Sequence, residues 1–93
     1  MKLNALKIFE HFGSENQERK LVEEIFEFLK AYTLYVNGLD TREHVVEEFS
    51  DVELLMYQFK QVLKIADGEQ RKQNVFKIKR TMEKYGIKEW LNG

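Results

Sequence analysis

The sequence predicts an all-α protein: an antiparallel helical bundle of three long helices behind a short N-terminal one. Apolar residues recur at i, i+3 and i+4 through almost the whole chain. There is no Pro, and the five Gly fall mostly where those periodic segments end. A helix breaker is therefore scarce inside the segments and present between them.

Leu3, Leu6, Ile8 and Phe9 outline the short opening helix, with Gly13 as its stop. Ser14 is the expected N-cap of the next helix, and Gln17 stands at the capping-box position. That helix is expected over 15–36, with Leu21, Val22, Ile25, Phe28, Leu29 and Tyr32 as its apolar stripe. Asn37-Gly38 ends it. Asp40 or Thr41 caps the following helix. Asp40 is the better candidate because Glu43 follows at capping-box spacing, whereas Thr41 would be matched with His44. Val45, Phe49, Val52, Met56, Phe59 and Leu63 form the stripe of this helix, expected to reach about Ile65 before Asp67-Gly68 breaks it. A third long helix is expected over 70–85, with Val75, Phe76, Ile78 and Met82. Gly86 ends it, and a short tail bearing Trp90 and Leu91 follows. No repeat, linker or low-complexity stretch interrupts residues 1–93, which read as one domain.

A chain of 93 residues buries a small core, and self-association is a common remedy. The wide apolar arcs point the same way, to two chains sharing one bundle. The absence of Cys excludes disulfides and thiolate metal sites. Basic residues number 15 and acidic ones 16, a balance that speaks against a nucleic-acid binder. The charged first residues do not suit a signal peptide, and no apolar run reaches the ~20 residues of a membrane span. A cytoplasmic location is expected.

The informative feature is acidic residues where apolar ones belong. On a wheel of about 100° per residue, Glu48 lies between the Val45–Phe49–Val52 arc and Leu55 and Val62, with Asp51 further along the same edge. On the preceding helix Glu24 borders the Leu21–Ile25–Phe28 stripe, and Glu27 lies further out. A carboxylate turned toward a core is costly unless neutralised or paired. Two i, i+3 pairs on helices joined by a short connection can face each other. Four converging carboxylates repel unless a cation sits between them, and an all-oxygen donor set suits Mg²⁺ or Mn²⁺. Glu23, Glu47 and Glu53 are expected on solvated faces. Lys20 and Lys30 lie within helical reach of Glu24 or Glu27. His11 and His44 are not spaced as a ligand pair and read as surface or packing residues.

At these positions the sequence resembles the MazG family of all-α nucleoside triphosphate pyrophosphohydrolases, in particular its short, phage- or prophage-type members. The family pattern is E-E-x-x-E, a gap, then E-x-x-D. Here it reads Glu23-Glu24-Ile25-Phe26-Glu27, the 20 residues 28–47, and Glu48-Phe49-Ser50-Asp51. The lead-in Phe12-Gly13-Ser14-Glu15-Asn16-Gln17 and the later Asn74-x-x-Lys77-x-x-Arg80 are similar to the corresponding family elements. Phe26 departs from the pattern, since a small residue is usual before the last Glu of the first motif.

The resemblance implies that Glu24, Glu27, Glu48 and Asp51 hold Mg²⁺ and form the catalytic set. It implies a nucleoside triphosphate as substrate, hydrolysed to the monophosphate and pyrophosphate, and a homodimer or homotetramer with sites near the subunit contact. Asn74, Lys77 and Arg80 are then placed to meet phosphates, and Gln17, on the wheel edge of Glu24, to meet the nucleotide. The alternative expectation is a non-catalytic helical interaction module that keeps the fold and has lost turnover, a reading for which Phe26 leaves room.

Overall fold

The computed structural model describes residues 1–88; the expected tail with Trp90 and Leu91 lies outside them. The described residues form four helices and no strand: α1 (Lys2–Phe12), α2 (Ser14–Val36), α3 (Arg42–Val62) and α4 (Asp67–Lys84). No described helix is long and apolar enough to cross a membrane. The chain, read from its sequence as one domain, divides into two compact units, one running from Met1 to Leu63 and the other beginning at Lys64.

Helix ends follow local chemistry, and four differ from expectation. Gly13, not Ser14, is the N-cap of α2, and its φ of 84° and ψ of 152° are open to a residue without a Cβ. A single glycine thereby turns the chain from α1 into α2. Thr41, not Asp40, caps α3: its Oγ1 accepts the His44 N–H at 3.2 Å. The Asp40 carboxylate is displaced one position upstream, where Oδ1 accepts the Thr41 N–H at 2.7 Å. α3 ends at Val62 rather than near Ile65, because Lys64 enters the left-handed region with φ 55°. Asp67 and Gly68 open α4 instead of breaking a helix, and the Glu69 carboxylate accepts the Ala66 N–H at 3.0 Å.

In the first unit α3 packs against both α1 and α2. The buried apolar residues are Ala5 and Phe9 of α1, Ala31 of α2 and Leu55 of α3. Phe9 meets Phe59 edge-to-face, with ring centroids 5.3 Å apart. Gln17 and Gln58 are also buried, at 5% and 6% exposure, and Gln17 Nε2 donates to Gln58 Oε1 at 2.7 Å. Phe28 and Phe49 are in ring contact further along the two helices, at 5.8 Å.

This seam corrects the expected core. The innermost line of α2 runs through Gln17, Glu24 and Ala31 at seven-residue spacing, and that of α3 through Glu48, Leu55 and Gln58 at steps of seven and three. Much of each expected apolar stripe stays outside: Val22, Ile25, Leu29 and Tyr32 on α2, and Phe49, Met56 and Leu63 at the end of α3, are exposed. Periodicity locates an apolar face; it does not say which neighbour covers it. Part of the uncovered face is a groove of about 310 Å³ lined by Phe28, Tyr32, Tyr35, Val45 and Phe49.

The second unit holds α4, which has no buried residue. Val75, Phe76 and Ile78, expected in a core, are exposed, and Met82 is half-buried. The Arg80 guanidinium lies over the Phe76 ring, 5.6 Å from its centroid.

The buried Gln pair generates an expectation. Gln58→Leu strands the Gln17 amide in the seam and lowers stability by about 1–3 kcal/mol, as expected for an unsatisfied buried polar group. Gln17→Leu combined with Gln58→Leu recovers most of that loss. Urea unfolding of the two single variants and the double variant measures both.

Candidate functional site

Halfway along the seam, Glu24 of α2 meets Glu48 and Asp51 of α3. One carboxylate oxygen from each lies within 4.8 Å of the others, and all three side chains are half-buried. Helical spacing places them: Glu48 and Asp51 are i, i+3 on one face, and Glu24 sits one heptad from both Gln17 and Ala31 on the packed line of α2. The structure thus brings together three of the four expected ligands. Glu27 lies outside the cluster and is exposed, because the turn from Glu24 to Glu27 carries it away from the seam.

Two basic side chains flank the cluster. Lys20 Nζ is 3.2 Å from Glu24 Oε1, an i, i+4 pair in which the lysine is 55% exposed. His44 Nε2 is 3.2 Å from Glu48 Oε1, and its Nδ1 is 2.6 Å from Asp40 Oδ2. Ionised carboxylates only accept hydrogen bonds, so a ring placed between two of them satisfies both by donating from both nitrogens, as an imidazolium. Asp51 has no side-chain hydrogen bond or ion pair among the described residues. The site concentrates negative charge from both helices and carries its positive charge at the rim.

Asp40 and His44 perturb each other. The hydrogen bond to His44, followed by that from the Thr41 N–H, holds the Asp40 carboxyl below its ordinary value. The His44 imidazole is raised above its ordinary value by the Asp40 hydrogen bond first. Burial opposes this, and Glu48 adds to the rise. Glu48 and Asp40 offset the positive end of the α3 dipole, which by itself disfavours a cation in the first turn.

The remaining expected site residues are placed differently. Gln17 is buried and bonded to Gln58, so it neither caps α2 nor lies open to a ligand. Asn74, Lys77 and Arg80 are exposed on α4 in the second unit. Glu23, Glu47 and Glu53 are exposed, as expected of a solvated face. His44 was read as a packing or surface residue, and the structure gives it two carboxylate partners. The legible signal was its spacing, Asp40-x-x-x-His44-x-x-x-Glu48, which stacks three groups on one helical edge.

The Asp40–His44 pair sets a pH window. A raised His44 pKa stabilises the fold fully below its unfolded value of 6.5 and loses that contribution as pH rises through the folded value. A lowered Asp40 pKa contributes fully above its unfolded value of 3.8 and loses that contribution as pH falls through the folded one. Thermal melts at fixed ionic strength are therefore expected to fall on the alkaline side, and His44→Gln to flatten that limb. Compared with models of known protein families, with curated proteins and with solved structures, the chain matches none.

Proposed function

We propose that the protein is a Mg²⁺-dependent nucleoside triphosphate pyrophosphohydrolase, with Mn²⁺ able to replace Mg²⁺. The observation that carries this reading is the convergence of Glu24, Glu48 and Asp51 across the α2–α3 seam. Three half-buried carboxylates, one of them without a cationic partner among the described residues, suit a hard divalent cation with oxygen ligands. The donor set holds no Cys or His that would select a softer ion. The triphosphate enters through the order and spacing of the two acidic motifs and the basic third segment, which resemble those of the MazG family.

In this reading Glu24, Glu48 and Asp51 would hold the cation, which would supply charge neutralisation at the phosphates and a more acidic water. The water oxygen bonds to the α-phosphorus. The bond from that phosphorus to the bridging oxygen breaks, and pyrophosphate leaves with the electron pair. Glu27 or Glu24 would accept the water's proton.

A second copy completes the assembly in this reading. The exposed Val22, Ile25, Leu29 and Tyr32 of α2 and Phe49 and Met56 of α3 are the faces it would cover, giving an antiparallel bundle in a homodimer or homotetramer. Sedimentation velocity is expected to give at least two chains of 11.2 kDa, and Ile25→Asp to shift the population toward one. A single 11.2 kDa chain at all micromolar concentrations would remove the dimer.

Turnover is tested with a panel of NTPs and dNTPs plus Mg²⁺, reading released pyrophosphate. Release is expected with at least one nucleotide, lost with EDTA and lost in Glu48→Gln while the circular dichroism spectrum stays helical. No release from any nucleotide, together with no Mg²⁺-dependent rise in melting temperature, would leave the non-catalytic helical module as the reading.

A further inference from the structure

Of the three clustered carboxylates, Glu48 is the one tied to the backbone through a chain of side chains. Thr41 caps α3 through its Oγ1. Its N–H is accepted by Asp40 Oδ1 at 2.7 Å, and Asp40 Oδ2 lies 2.6 Å from His44 Nδ1. His44 Nε2 lies 3.2 Å from Glu48 Oε1. Each link spans four residues or fewer, so the whole chain lies within the capping residues and first two turns of α3. Glu24 has only Lys20, a long and 55% exposed side chain. Glu27 has no hydrogen-bond or ion-pair partner among the described residues and stands outside the cluster.

We propose that Asp40 and His44 are positioning residues for Glu48, holding its carboxylate in the rotamer that converges with Glu24 and Asp51. The inference rests on the cation reading of the cluster. A glutamate has three rotatable side-chain bonds, and a hydrogen bond to one oxygen removes most of that freedom before a cation arrives. Asp40 holds the His44 ring through its other nitrogen, at 2.6 Å, so the pair fixes the orientation of the ring that meets Glu48. The role of Asp40 is thus distinct from helix capping, which Thr41 performs.

Mn²⁺ binding to the full chain, followed by titration calorimetry and by the paramagnetic resonance of free Mn²⁺, tests this without reference to turnover. His44→Ala is expected to weaken Mn²⁺ binding about 10- to 100-fold, the usual effect of removing a group that orients a ligand. Asp40→Asn weakens it too, and the double variant binds no more weakly than His44→Ala alone, because both act along one path. His44→Gln, whose amide can donate to Glu48, recovers part of the loss. Wild-type affinity in His44→Ala, with binding lost in Glu48→Gln, would overturn the positioning role and leave the cation site standing. Tighter binding in His44→Ala would also overturn it, by showing that His44 opposes the cation. Absence of Mn²⁺ binding in the wild type would overturn the cation site and this inference together. Should His44→Ala fail to fold, Asp40→Asn, which alters no residue of α3, decides on the same terms.

Discussion

The constraint on which the first unit turns is electrostatic: α2 and α3 cannot close their seam without bringing Glu24, Glu48 and Asp51 together. Each carboxylate loses part of its hydration there, and each repels the other two at short range. Lys20 and His44 offset part of that repulsion from the rim. The same compromise explains the composition of the line on either side. Gln17 and Gln58 satisfy each other, and Ala31 and Leu55 fill what space remains. Exchanging these polar groups for leucines would give a more adhesive seam and a poorer place for a charged ligand.

A seam of this kind leaves little apolar burial to hold it shut. Four buried apolar residues, reinforced by the Phe9–Phe59 and Phe28–Phe49 ring contacts, make a slight core for a three-helix unit. Meanwhile the larger apolar side chains of α2 and α3 lie exposed on the adjoining face. Charge and the larger hydrophobic side chains therefore occupy different faces of the same two helices: the acidic cluster faces the seam, and most of the apolar stripe faces outward.

The sequence made the helices legible because their signal is local and repeated many times. Fold class, the stop at Gly13 and the turn at Asn37-Gly38 all follow from spacing and from glycine. Glu48 was legible for another local reason, since apolar neighbours on both sides of it on the wheel turn it toward a partner. Helix ends were less so, because several residues compete for one cap. Asp40 and Thr41 both qualify by type, and the choice between them depends on His44, whose ring draws the aspartate away from the helix N–H groups. What covers each apolar stripe was not legible, because Val22, Ile25 and Leu29 have the same pattern whether they face another helix of the chain or the outside. Glu27 illustrates the same limit: a wheel ranks it near Glu24, and only the α2–α3 packing separates them.

Ala31 has 1% of its surface exposed and lies one heptad beyond Glu24 on the packed line of α2. A methyl group is the smallest spacer that a chiral residue can offer, so this position sets how closely the backbones draw together beside the acidic cluster. The separation of the backbones fixes the bite of the opposed carboxylates. Ala31 is thus a stop on the approach of α2, and a bulkier side chain there would spread the three carboxylates without altering any of them.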